Sequence, residues 1–198
     1  NYTPERIVKT LIEVLKQANN NTNNMYSDDY FNAEVILAFG RFRNENENFY
    51  KETSSKILNK LTLHASIPSY CNIITSAGYK ALTAIALKTD IFTPDIKEMR
   101  SVVLEPTNYF DCRSSVFHDL LFLCVCNKGI TFAELVSDIK TLVLQGEPEM
   151  AAMCLRRIYR FILNSVHIGD KDHFLTYLLA LPETMSRDDV RKFLISNG

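Results

Sequence analysis

Residues 111–124, with the sequence DCRSSVFHDLLFLC, decide the class of fold. Their apolar side chains recur at helical spacing and predict one long helix with two adjoining apolar faces. The first face comprises Phe110, Phe117, Leu121 and Cys124, and the second comprises Val116, Leu120 and Leu123. A helix that is apolar over so wide an arc packs between neighbouring elements instead of lying on a surface. The segment therefore predicts a layered helical protein.

Segments of the same kind occur before and after this helix at nearly constant spacing. We group about ten predicted helices into five pairs, whose second helices begin near residues 27, 69, 109, 147 and 186, with steps of about 42, 40, 38 and 39 residues. No segment predicts a strand. A period near 40 residues made of two antiparallel helices is typical of HEAT and armadillo repeats. The sequence thus predicts a single all-α domain over residues 1–198, a right-handed α-solenoid of about five helix pairs, and the start at Asn1 predicts a fragment of a longer protein.

Capping residues and glycines predict where the helices begin and meet. Ser27-Asp28-Asp29 predicts the start of a helix that buries Phe31. Thr131 and Glu134 have the spacing of a capping box and predict another helix start. Gly78 predicts a close approach of two helices. The expected core side chains of these and the following helix include Val35, Ala38, Phe39, Leu135, Ile139, Leu142, Leu155, Ile158 and Phe161.

The composition is typical of a globular protein. With 198 residues, of which 46% are hydrophobic and 23% charged, the chain can bury a substantial core. The net charge of −1 argues against nucleic-acid binding by bulk electrostatics, although it is compatible with a local basic patch. No apolar run approaches the roughly 20 residues that span a bilayer, so we expect no membrane partner.

The five cysteines are odd in number and lie mostly within apolar helical patterns. We expect Cys71, Cys112, Cys124, Cys126 and Cys154 to be reduced core residues of an intracellular protein. The spacing Cys-x-Cys at 124–126 lacks the two-residue gap and the second pair of a structural zinc site.

No motif predicts a catalytic centre, a cofactor or a small-molecule substrate. Ser115, His118 and Asp119 are the residue types of a catalytic triad, but the side chains of His118 and Asp119 diverge by about 100° on one helix. We therefore assign all three a structural role. A helix cap with solvated histidines is likewise favoured over a metal site for His167, Asp170, Asp172 and His173.

Basic residues supply the candidate contact sites. Arg156 and Arg160 are four residues apart on one expected exposed helix face, and with Arg157 and Lys140 they form a patch suited to phosphate or to an acidic peptide. An ordinary solvated helix face is the alternative, which the sequence alone favours. A weaker candidate patch contains Arg41 and Arg43.

A structural pair is predicted at the start of the helix described first. In stacked helix pairs, an Asp and an Arg near the start of the second helix tie down turns and neighbouring copies. Asp111 and Arg113 have this arrangement in the third predicted pair.

Three stretches carry a more specific resemblance. They are residues 25–34 (MYSDDYFNAE) running into 35–38 (VILA), residues 67–70 (IPSY) followed by 73–75 (IIT), and residues 109–113 (YFDCR). In this order and spacing they resemble the C-terminal helical-repeat region of the large TBP-associated factors of TFIID whose N-terminal part is built like a zinc aminopeptidase. The similarity covers roughly residues 5–165. The sequence departs from the family pattern in two respects. Basic residues are scarce around the first two stretches, and the fourth copy lacks an Asp-x-Arg pair.

The resemblance implies a nuclear, non-catalytic scaffold that needs no cofactor and acts in RNA polymerase II initiation. Its implied partners are other TFIID subunits, including a histone-fold subunit with a long tail, and promoter DNA is a further candidate through a local basic patch. Two alternatives stay open. One is the C-terminal helical domain of an active zinc aminopeptidase, and the other is an unrelated HEAT-type adaptor from transport or trafficking.

Overall fold

Seven α-helices account for most of the described chain, and the described residues contain no strand. The computed structural model describes residues 6, 9, 10, 13, 25–41, 47–65, 72–90 and 92–164. The helices are α1 (Met25–Arg41), α2 (Glu47–Ala65), α3 (Asn72–Lys88), α4 (Ile96–Leu104), α5 (Phe110–Val125), α6 (Phe132–Leu144) and α7 (Pro148–Asn164). The predicted all-α class is confirmed for these residues. The predicted helices near residues 3–18, 172–181 and 186–198 lie outside this description, apart from four helical positions in the first.

The chain divides into two compact units, Asn1–Asp95 and Ile96–Gly198. In the first unit, α3 packs against both α1 and α2. Its core is apolar because each helix turns one stripe of branched or aromatic side chains inward. The largest fully buried members are Ile36, Phe39, Ile57, Ile74, Tyr79, Leu82 and Ile85.

Helix α1 differs from the prediction at its start and in its buried stripe. It begins at Met25, two residues before the predicted cap at Ser27. Phe31, predicted to be in the core, is 51% exposed, and Ala38 is only half-buried. Val35 and Phe39 are buried, as predicted. The other buried positions of α1 are Asn32, Ala33, Ile36 and Gly40.

The close helix approach in the first unit is at Gly40 of α1. A Cβ atom on Gly40 would lie 2.8 Å from the Cα atom of Ala81 in α3, so only glycine lets the two backbones meet there. The side chain of Lys88 donates a hydrogen bond to the carbonyl oxygen of Gly40, where a cation is favourable near the helix C-terminus. Gly78, the predicted contact glycine, is buried in α3, but the described contact belongs to Gly40.

The second unit consists of two helix pairs in its described part. Residues 105–109 connect α4 to α5, and residues 145–147 connect α6 to α7. Short connections between packed helices make each pair antiparallel. In addition, α4 contacts α6 and α5 contacts α7. First helices thus pack on first helices, and second helices pack on second helices.

Helix α5 is the centre of the second unit, as its sequence predicts. It contacts α4, α6 and α7. Phe110 is an exception to the prediction, because it is the first residue of the helix and is 38% exposed. The other predicted positions of both apolar faces, Val116, Phe117, Leu120, Leu121, Leu123 and Cys124, are buried.

Helix α6 begins with the predicted capping box. The hydroxyl oxygen of Thr131 accepts a hydrogen bond from the backbone N–H of Glu134 at 3.3 Å, and the Thr131 N–H donates to Oε2 of Glu134 at 2.9 Å. The carboxylate of Glu134 thus accepts from the Thr131 N–H, and it also accepts from the Thr131 hydroxyl at 2.9 Å. Both bonds lower the pKa of Glu134, because they favour its ionised form. Of the predicted core side chains of α6 and α7, Leu135, Ile139, Leu142, Leu155 and Ile158 are fully buried, and Phe161 is half-buried.

The cysteines of the described residues are free thiols. Cys112, Cys124 and Cys154 are buried, as predicted, and burial raises the pKa of Cys124 to about 12. Cys126 is exposed, contrary to the prediction, because it is the C-cap of α5 and lies beyond the buried part of that helix. Cys71 lies outside the described residues.

Candidate functional site

An ion pair between a half-buried arginine and a buried aspartate joins the two first helices of the second unit. Arg100 of α4 donates from Nε to Oδ2 of Asp138 at 2.8 Å and from Nη2 to Oδ1 at 2.7 Å. It also donates from Nη1 to Oε1 of Glu134 at 3.1 Å. Asp138 is only 2% exposed, and this burial raises its pKa although the bonds from Arg100 act in the opposite direction. The sequence interpretation did not single out this pair.

Arg113 forms the second link, between the start of α5 and its neighbours. Its Nε atom donates to the carbonyl oxygen of Val103 in α4 at 2.8 Å, and its guanidinium forms an ion pair with Glu147, which precedes α7. Asp111, predicted to act with Arg113, is exposed and forms no hydrogen bond or ion pair within the described part of the chain. Arg113 thus links α5 to α4 and to the start of α7, whereas the first turn of α5 points Asp111 to solvent.

A surface pocket of about 550 Å³ lies between the two second helices, α5 and α7. We call it the arginine pocket. Three arginines, two aromatic rings, a histidine and a methionine line it: His118, Phe122, Met153, Arg156, Arg157, Arg160 and Phe161. The structure thus brings together the three arginines that the sequence singled out. It adds a wall from α5 that the sequence did not reveal.

The guanidinium groups of the arginine pocket lack carboxylate partners among the described residues. Arg157 bonds to a neutral group, because its Nε and Nη2 atoms donate to the hydroxyl oxygen of Ser114 at 3.3 and 3.0 Å. The Nε atom of Arg156 is buried, and no described residue accepts a hydrogen bond from it. Arg156 is half-buried rather than exposed as predicted, since α5 packs beside it, whereas Arg160 is exposed. The pocket therefore has an excess of positive charge and an unused donor.

Aromatic rings form the apolar wall of the arginine pocket. The Phe122 ring packs edge-to-face with His118 at a centroid distance of 4.8 Å and with Phe161 at 5.4 Å. Such edge contacts hold the rings in fixed relative orientations. His118 lines the pocket, whereas the neighbouring Asp119 is buried away from its lining. The two side chains diverge, as expected for adjacent helical positions.

The other candidate residues do not join this pocket. Lys140 is half-buried on α6 and is not part of the pocket lining. Arg41 is exposed in the last turn of α1, where a cation stabilises the helix C-terminus. Arg43, His167, Asp170, Asp172 and His173 lie outside the described residues.

Within the described ranges, no group of three or more His, Cys, Asp or Glu side chains could hold a metal ion. In the same residues, no helix combines the length and the apolar character needed to cross a membrane. Comparison of the chain with protein-family models, with curated proteins and with solved structures found no match.

Proposed function

We propose that the chain is a non-catalytic scaffold domain of a TFIID subunit and binds other subunits of that complex. In this proposal the domain is a right-handed α-solenoid of about five HEAT-like helix pairs, whose second helices line one face. The resemblance of residues 25–38, 67–75 and 109–113 supports the assignment to this family of nuclear proteins.

The order of helix packing in the second unit is the observation that supports the solenoid. In a stack of helix pairs, each pair contacts the next through equivalent helices. The packing of α4 on α6 and of α5 on α7 has this order. Polar links follow the same order, since Arg100 joins the first helices and Arg157 joins the second helices. The first unit is compatible with it, because α1 and α3, which are second helices in the predicted pairing, pack together.

Protein is the primary partner and DNA a secondary one. The net charge of −1 gives the whole domain little attraction for a polyanion, so its non-specific affinity for DNA should be weak and steeply dependent on salt. A face of successive second helices offers a long surface to an extended protein segment, which contacts several pairs at once. The long tail of a histone-fold subunit is a partner of this kind.

The proposal is tested by capture of purified TFIID subunits on the immobilised 198-residue domain. We expect at least one subunit to be retained, with an apparent affinity that falls only modestly as salt rises. Retention of none would contradict the proposal. If no subunit is retained and the domain stimulates peptide cleavage when joined to a zinc aminopeptidase domain, the aminopeptidase assignment would replace it.

A further inference from the structure

We propose that the arginine pocket binds a short acidic segment of a protein. The segment would place two adjacent negative charges against Arg156, Arg157 and Arg160, and an apolar side chain against the ring wall. The charges are two neighbouring carboxylates or one phosphoryl group, which share the chemistry of a doubly charged oxygen anion. This inference deepens the proposed function, because it rests on partner binding at the second helices and names the chemistry of the bound segment.

Charge pairing distinguishes these arginines from the others on the described helices of the second unit. Arg100 and Arg113 each have a carboxylate partner, and both link one helix to another. The pocket arginines have none among the described residues, and Arg157 is merely oriented by the neutral hydroxyl of Ser114. Clustered cations repel each other, so a site that keeps three together gains energy when an anion binds. The cluster is therefore better suited to binding an anionic ligand than to stabilising the fold.

The buried Nε donor of Arg156 has no acceptor among the described residues. A buried N–H group without an acceptor is unfavourable, and more so when the group is charged. An incoming carboxylate or phosphoryl oxygen would accept from it, and the planar guanidinium favours two parallel bonds to such an anion. Binding of such an anion would therefore give this donor an acceptor.

The shape and the ring wall favour a peptide over duplex DNA. The volume of about 550 Å³ fits a few side chains and lies within the range of ordinary ligand pockets. Phe122, Phe161 and Met153 supply an apolar surface that a phosphate backbone cannot use. A peptide that alternates acidic and apolar side chains matches both parts of the lining.

Binding of fluorescently labelled peptides to the 198-residue chain tests the proposal by anisotropy. The probes are a short peptide that alternates Asp or Glu with Leu and Phe, its Asn and Gln counterpart, a version with one phosphoserine in place of an acidic pair, and a short DNA duplex. The test variant is Arg156→Gln with Arg160→Gln, which leaves the Arg157–Ser114 bonds in place. The control is Lys97→Gln, because Lys97 is exposed on α4 and does not line the pocket.

We expect the acidic peptide to bind, the uncharged counterpart to bind at least about tenfold more weakly, and the double variant to lose at least about tenfold in affinity. The Lys97→Gln variant should bind like the wild type. Comparison of the carboxylate and phosphoserine peptides identifies which anion is preferred. Far-UV circular dichroism checks that each variant is folded. If the double Gln variant is not, Arg160→Gln alone replaces it, because Arg160 is exposed.

Three results would overturn the proposal. They are equal binding of the uncharged peptide, an effect of Lys97→Gln as large as that of the double variant, and tighter binding of the duplex with the same dependence on the arginines. Failure here is separable from failure of the scaffold proposal. If the domain captures a TFIID subunit regardless of the arginines, the scaffold proposal stands and the acidic-segment site is refuted. If it binds the peptide through the arginines but captures no subunit, the site stands and the scaffold proposal is refuted.

Discussion

Replacing Arg100 by Met should destabilise the second unit by about 3–5 kcal/mol, because it leaves the buried carboxylate of Asp138 without a partner. Asp138 is 2% exposed and receives two hydrogen bonds from Arg100, so water cannot compensate for their loss. The ion pair with Glu134 contributes at most about 1 kcal/mol, since that side chain is 41% exposed. Nearly all of the effect therefore originates at Asp138.

The destabilisation caused by Arg100→Met should depend on pH. Burial already raises the pKa of Asp138 above its ordinary value, and removal of Arg100 takes away the interactions that lower it. An acid whose folded-state pKa is raised favours folding more as pH falls towards that pKa. The difference in stability between wild type and Arg100→Met should therefore be largest near neutral pH and shrink in acid.

Urea unfolding followed by far-UV circular dichroism measures these differences. Lys97→Met is the matched control on the exposed side of α4, and it should change stability by no more than about 0.5 kcal/mol. The double variant Arg100→Met with Asp138→Leu removes both charges and should be more stable than Arg100→Met alone. A loss below about 1 kcal/mol for Arg100→Met, or additive losses in the double variant, would refute the account of a buried, coupled pair.

Three further outcomes follow from packing. Leu121→Ala should cost about 2–5 kcal/mol in urea unfolding because Leu121 is fully buried, whereas Leu144→Ala, at a 73% exposed position, should cost no more than about 0.5 kcal/mol. Gly40→Ala should cost about 1–3 kcal/mol in the same assay, because its Cβ atom would lie 2.8 Å from a backbone atom of α3. Cys126 should be alkylated by iodoacetamide in the native protein while Cys154 is protected, as measured by mass spectrometry after digestion, since Cys154 is fully buried and burial raises the pKa of its thiol.

Features encoded within one segment could be predicted from the sequence. The capping box of Thr131 and Glu134 depends on residues three apart, and the structure has both of its hydrogen bonds. The buried faces of α5 followed from their spacing. Phe31 was predicted wrongly because apolar residues occur on both sides of the stripe of Val35 and Phe39, and only the contact with α3 selects the side of Ile36.

Only the α7 side of the arginine pocket could be predicted from the sequence. The spacing of Arg156 and Arg160 on α7 was visible, but Phe122 and His118 approach from a helix much earlier in the chain and give no local signal. The pairing of Asp138, in contrast, has a local signal in the sequence. A carboxylate one position before Ile139 and within the apolar stripe of α6 indicates a buried ion pair.

The arginines on the described helices of the second unit fall into two groups, which differ in the residues around them. Arg100 and Arg113 face carboxylates across helix junctions, so their charges are neutralised within the fold and fix how one pair sits on the next. Arg156 and Arg160 lie where the two second helices meet at the surface, and there the fold supplies aromatic rings and a hydroxyl instead of an acid. If the second helices form the partner-binding face, as we propose, an acidic segment lying along that face would cross the arginine pocket. Its carboxylates would then pair with Arg156 and Arg160, as Asp138 and Glu147 pair with Arg100 and Arg113 within the fold.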